Sequence, residues 1–205
     1  MIGCLMYAML TTRPDISAAV NFYSRFQNHA TEEQWNGLKK ILRYIQQTKD
    51  IGLFFPKQQS EALVGYADSD WGGNTDRKSI SGYMFQVLGS TVSWTTKKQA
   101  TVALSSTEAE YVALASAGTE LIWPRGLLKD LGIDCLQPIT VYEDNQACIH
   151  LLQRWQHNRL KHVDVNYNFI TCHVTYICTT VADILTKGLS RRQFENLRQK
   201  LGLQR

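Results

Sequence analysis

At 205 residues and 44% hydrophobic composition, the chain is long enough for one ordinary domain with an appendage, and no stretch has the low-complexity character of a disordered segment. Its net charge of +4 permits a polyanionic partner without requiring one, and no run is long enough to span a bilayer. Five cysteines, odd in number and without a C-x-x-C pair, argue against a disulfide framework and for reduced thiols in an intracellular compartment.

The apolar opening Met1 to Leu10 lacks the basic leader of a signal peptide, so the chain is not expected to be secreted. Residues 12 to 48 read as two helices. The first opens at Thr12 with Pro14 near its first turn, and Ile16, Ala19, Val20, Tyr23 and Phe26 recur at helical spacing. The second starts at a capping-box pattern, Thr31-Glu32-Glu33-Gln34, and is expected to bury Trp35, Leu38, Ile41, Leu42 and Ile45. From Ile51 the period becomes strand-like, in Ile51 to Phe55, Ala62 to Asp68, Gly82 to Leu88 and Thr91 to Thr96. Short turns between consecutive strands predict an antiparallel meander. A helical stretch from Ser106 to Leu131 follows, in which Pro124 predicts a kink or break near Glu120 to Trp123. After it come a strand from Ile139 to Glu143, a helix from Asn145 to about Gln153 and another around Val163 to Ile170. A strand from Val174 to Cys178, a helix carrying Asp183 and a tail helix from Ser190 to Leu201 complete the order. Such an order predicts an α/β fold, a mixed sheet with helices on its faces.

Four carboxylates stand in distinctive frames: Asp68 in Tyr66-Ala67-Asp68-Ser69-Asp70-Trp71, Glu110 in Thr107-Glu108-Ala109-Glu110-Tyr111, Asp144 in Glu143-Asp144-Asn145-Gln146, and Asp183 in Val181-Ala182-Asp183-Ile184-Leu185. Carboxylates converging from distant parts of a chain are the donor set that hard divalent cations take. Asp68 and Asp144 each end an apolar strand, where open sheets tend to place ligands. Asp70 shares the strand face of Asp68 and is its rival. Glu108 and Glu110 lie on nearly opposite sides of a helix, and the apolar periodicity supports either face. Asn145 and Gln146 open a helix whose free backbone donors suit a phosphate. His162, Cys172, His173 and Cys178 match no common zinc spacing.

These frames, with Asp76-Arg77-Lys78-Ser79-Ile80-Ser81-Gly82-Tyr83, Ser93-Trp94-Thr95-Thr96-Lys97-Lys98-Gln99, Lys161-His162-Val163-Asp164 and the run Ala182 to Lys187, resemble the ribonuclease H domain that ends the Pol polyprotein of copia-type long-terminal-repeat retrotransposons. Ile2-Gly3-Cys4-Leu5-Met6-Tyr7, Thr12-Arg13-Pro14-Asp15 and the Trp35 helix resemble the end of the preceding reverse transcriptase. The resemblance implies a ribonuclease H-like mixed sheet, three antiparallel strands plus parallel ones, preceded by a small helical segment. It divides the chain into residues 1–58 from the reverse transcriptase, 59–189 as the ribonuclease H-like domain and 190–205 as a tail helix. A polymerase palm is expected upstream, so the chain by itself should not polymerise.

By the same resemblance, the activity is endonucleolytic hydrolysis of RNA in RNA/DNA hybrids with two magnesium ions, manganese being able to replace them. The resemblance selects Asp68 and Glu110 over their rivals, and makes Asp68, Glu110, Asp144 and Asp183 both catalytic and metal-binding. Asn74, Arg77, Lys78, Lys97, Lys98, Asn145, Gln146 and Lys161 become the nucleic-acid rim. The partners implied are the hybrid and the upstream reverse transcriptase, with no membrane, at an intracellular location in the cytoplasm, retrotransposon particles or nucleus. The chain departs from the pattern at Pro124 and in a shorter stretch between His162 and Asp183, which is expected to displace Asp183. An inactive remnant that binds nucleic acid or a polymerase is the alternative. A transposase or integrase would share the sheet and an acidic triad, but the frames around Asp68 and Asp183 argue against it.

Overall fold

A computed structural model describes residues 1–57, 61–73, 75–133, 139–153, 172–177 and 180–205. Asn74, His157, Lys161 and His162, and the helix expected near Val163 to Ile170, lie outside the described residues. The N-terminal part holds three helices, α1 (Ile2–Thr11), α2 (Ser17–Ser24) after a 3-10 turn at Pro14–Ile16, and α3 (Glu32–Gln47). The first was read only as an apolar run, because it is apolar on nearly every side and shows little periodicity to betray a helix. Thr31 caps α3 as expected: its hydroxyl accepts from the Gln34 N–H while the Gln34 side chain accepts from the Thr31 N–H at 2.8 Å. Leu38 and Ile41 are buried against Leu5, Met9, Ile16 and Val20. Trp35 and Leu42, expected inside, are exposed, because α1 and α2 cover only the stripe through Leu38 and Ile41.

Strands β1 (Gly52–Leu53), β2 (Leu63–Asp70), β3 (Ile80–Val87) and β4 (Ser90–Lys98) precede the long helix α4 (Ser106–Asp130). Strand β5 (Ile139–Glu143), helix α5 (Gln146–Gln153), strand β6 (Cys172–Tyr176), helices α6 (Asp183–Thr186) and α7 (Arg191–Lys200) and strand β7 (Leu203–Gln204) follow. Among the described residues, five strands form one sheet in the order β4-β3-β2-β5-β6. Strands β2, β3 and β4 are the antiparallel meander, β5 runs parallel to β2, and β6 parallel to β5. This is the ribonuclease H-like mixed sheet. Strand β1 is not part of it: Gly52 and Leu53 pair antiparallel with Gln204 and Leu203 near the C-terminus, a partner that local alternation cannot reveal.

Two-residue alternation gives the sheet two apolar faces. On one, Leu63, Ala67, Phe85, Ile139 and Val141 pack under Tyr111, Leu114, Leu121 and Leu128 of α4. On the other, Met84 packs with Ile184 and Leu185 of α6, Leu197 of α7, and Leu201 and Leu203. The expected break at Pro124 does not occur. Burial of Leu121 and Leu128 on either side, and of Pro124 itself, holds α4 continuous despite the missing backbone donor. Among the described residues, no helix is long and apolar enough to cross a membrane.

The N-terminal helices are tied to the sheet and the tail by polar contacts. Trp94 donates its indole N–H to the Met9 carbonyl at 2.7 Å, and Asn21 donates to the Thr96 carbonyl at 2.9 Å. Thr96 in turn donates its hydroxyl to the Leu185 carbonyl at 2.8 Å. Buried Arg13 pairs with Asp15 through two N–H donors at 2.9 Å, and the Tyr44 hydroxyl donates to Asp15 while accepting from Arg198.

Gly82 sets how closely α6 approaches the sheet. A Cβ there would come within 2.6 Å of Thr186 Cγ2 and 2.9 Å of Leu185 Cβ. Gly82→Ala is therefore expected to cost about 1–3 kcal/mol by overpacking. An unchanged urea midpoint would show that α6 does not depend on this seat.

Candidate metal centre

Asp68 lies fully buried in β2, paired in register with Gly82 on β3. Asp144 follows the last residue of β5, the strand parallel to β2, so the two parallel strands deliver both carboxylates to the same sheet edge. Glu110 arrives from the first turns of α4. Ser105 caps that helix by accepting from the Glu108 N–H at 3.2 Å, and Glu108 reaches back to the Leu104 N–H at 2.8 Å. Engaging Glu108 at the cap leaves Glu110, on the other side, to point inward. Gln99 fixes the same turn, donating to the Ala109 carbonyl and to Ser81, each at 2.9 Å.

One carboxylate oxygen from each of Asp68, Glu110 and Asp144 lies within 4.8 Å of the others. Oxygens at 2.0–2.1 Å from one magnesium ion are about 2.9 Å apart when cis and about 4.2 Å when trans, so the three side chains are within reach of closing on one ion. The donor set is all-oxygen, which suits a hard cation. Glu110 Oε2 is buried and finds no hydrogen-bond partner among the described residues, which leaves it an unsatisfied acceptor suited to a metal ion. The residues present therefore fit a divalent ion. Burial pushes the Glu110 carboxyl up to about 10, with Glu143, Asp68 and Asp144 adding like-charge repulsion. Burial also raises Asp68, to about 7, although Lys187 opposes it, and raises Asp144.

Asp183 stands beside this triplet rather than in it. Lys187 lies between the two: its Nζ is 2.7 Å from Asp68 Oδ1 and 2.7 Å from Asp183 Oδ1. Thr186 donates its hydroxyl to the other Asp68 oxygen. Burial alone would lower the Lys187 ammonium, but the two aspartates more than offset it and leave its pKa raised. Asp70, the rival of Asp68, is not among the three clustered acids.

No family model matches the chain. Over 213 residues it is 39% identical to the retrovirus-related Pol polyprotein from transposon RE2 of Arabidopsis thaliana, a match covering 98% of this chain and 15% of the polyprotein. The chain belongs to the retrovirus-related Pol polyproteins of transposons. It is also 49% identical to secreted RxLR effector protein 161 of Plasmopara viticola over 123 residues, 60% of this chain and 87% of that protein. Among solved structures it is similar to LC11-RNase H1 in complex with RNA/DNA hybrid, with TM-score 0.40, 14% identity, and coverage of 56% of this chain and 83% of that one. A likeness that distant says nothing about chemistry.

In this Pol segment, the basic residues singled out in the sequence are unequal. Arg77 and Lys97 are exposed, Lys78 is half-buried, and Lys98 is engaged by Asp76 at 2.5 Å. Asn145 serves as a cap, its side-chain oxygen accepting from the Cys148 N–H at 3.0 Å, while Gln146 is exposed. Glu143 was missed. It is fully buried, its Oε1 accepts from the Asp144 and Asn145 N–H groups at 3.1 and 3.0 Å, and burial raises its carboxyl to about 8. Alternation could have found it, since Ile139, Val141 and Glu143 share the inward face of β5. The contact of Lys187 was readable too, as an i,i+4 partner of Asp183.

Proposed function

We propose that the chain is the ribonuclease H segment of a copia-type Pol polyprotein and hydrolyses the RNA strand of RNA/DNA hybrids with magnesium or manganese. The observation that carries the reading is the convergence of Asp68, Glu110 and Asp144 from two parallel strands and a helix. These three would hold one ion, and Asp68 with Asp183 would hold a second. Bound there, such ions supply an activated water and stabilise the leaving oxygen of the phosphodiester. Glu143 fixes the turn that presents Asp144, and α6 sets Asp183 against Asp68. Arg77, Lys78, Lys97, Asn145 and Gln146 are proposed to contact the nucleic acid around the acids. Residues 1–58 are read as the end of the reverse transcriptase, 59–189 as the nuclease and 190–205 as its tail, working inside the cell.

A labelled hybrid incubated with the chain and magnesium tests this. RNA is expected to be cut only when paired to DNA, leaving 3′-hydroxyl and 5′-phosphate ends, with no cutting in a chelator. The second reading is a remnant that binds hybrids without cleaving them. It is favoured by the 49% identity to a protein of which this segment covers 87%, so that the sequence recurs apart from a whole polyprotein. Retention of hybrid on a gel without cleavage in any divalent ion would select it.

A further inference from the structure

We propose that the Lys187 ammonium is a resident cation of the centre, holding the place between Asp68 and Asp183, so that the acids take one divalent ion readily and a second only by displacing the lysine. The inference rests on the metal-centre reading above and concerns how many ions that centre accepts. Nζ of Lys187 lies 2.7 Å from Asp68 Oδ1 and 2.7 Å from Asp183 Oδ1, so an ion bridging these two acids would have to take the place that Nζ holds. The three acids with oxygens in mutual reach leave Asp183 out, and among the described residues the ammonium of Lys187 is what hydrogen-bonds Asp183 to the site.

Charge points the same way. The Lys187 ammonium already supplies a positive charge 2.7 Å from both Asp68 and Asp183, the place where a second ion would otherwise supply it. Lysine suits such a device because its ammonium is a compact point charge on a flexible four-carbon stem. The Lys187 side chain is one-third exposed, against complete burial for Asp68, so it has a way out toward solvent that its partner lacks. It caps the C-terminus of α6, its backbone N–H donating to the Asp183 carbonyl at 2.9 Å, and Gly188 follows it.

Manganese binding to the full chain, counted by calorimetry and by electron paramagnetic resonance of bound ion, tests this without reference to cleavage. The wild type is expected to bind one ion tightly and a second at least about tenfold more weakly. Lys187→Met should tighten the second ion by about tenfold or more, and Lys187→Arg, which keeps the charge, should not. Two ions of equal affinity in the wild type, unchanged in Lys187→Met, would overturn the proposal. No ion bound by either protein, with the circular dichroism of a folded chain, would instead remove the metal-centre reading beneath it. Should Lys187→Met fail to fold, reductive methylation of the wild type mapped by mass spectrometry decides: Lys187 should react slowly in chelator and at one equivalent of manganese, and faster at saturation. A rate that does not change with manganese also overturns the proposal.

Discussion

Replacing Asp68 by asparagine is expected to abolish hybrid cleavage, lowering the rate at least about 1,000-fold, or about 4 kcal/mol of transition-state stabilisation. The size follows from its place. Asp68 is the acid shared by the triplet with Glu110 and Asp144 and by the contact with Lys187 and Asp183, so its charge is felt on both sides of the centre. Asparagine keeps the volume but offers one neutral oxygen and an NH2 that cannot accept from Lys187. The fold should survive, since Ala67 and Met84 around it are untouched and Lys187 keeps Asp183. Cleavage kinetics under single-turnover conditions, alongside thermal melting, separate the two effects. A variant that melts normally and still cuts at the wild-type rate would move the active site elsewhere.

The second large effect concerns pH in the absence of metal. Burial, before any neighbouring charge, raises Asp68 to about 7, Glu143 to about 8 and Glu110 to about 10. Each folded-state pKa lies above its value in the unfolded chain, near 4. Stability from these groups is therefore fully present below about pH 4 and is lost as pH rises through the folded values, at up to about 1.4 kcal/mol per pH unit for each proton released. In a chelating buffer the melting temperature should fall as the pH rises from about 5 to about 8.5. Magnesium should restore much of it, because an ion bound only by the folded chain adds about 2.7 kcal/mol at one hundred times its dissociation constant. Glu143→Gln keeps the acceptor for the Asp144 and Asn145 N–H groups while removing one of the charges, so its profile should be flatter. A wild-type melting curve that is level across this range in chelator would contradict the buried acids.

Much of the sheet was legible because each strand carries its own evidence. Alternation in Leu63 to Asp70, Ile80 to Val87 and Ile139 to Glu143 needs no distant partner to be seen. The capping of α3 at Thr31 was equally local. What stayed hidden depends on contacts between remote residues. The pairing of Gly52 with Gln204 leaves no mark in either segment, and the exposure of Trp35 depends on how little of α3 the first two helices cover. For the acids, periodicity alone could not separate Glu108 from Glu110, because both helix faces carry apolar residues; the cap at Ser105 does so physically. The shorter stretch before Asp183 suggested a displaced acid. Asp183 does stand apart from the triplet, with Lys187 between them, and that contact was open to the i,i+4 spacing of the two residues.

Thr96 is gripped from both sides, its carbonyl by Asn21 of α2 and its hydroxyl by the Leu185 carbonyl of α6. In mechanical terms, the helices that come first in the chain act as a strut for the last acid to join the centre, and β4 is the beam between them. Trimming the chain to its sheet and flanking helices would therefore not yield a smaller version of the same centre. It would leave Asp183 and Lys187 on a one-turn helix braced on a single side.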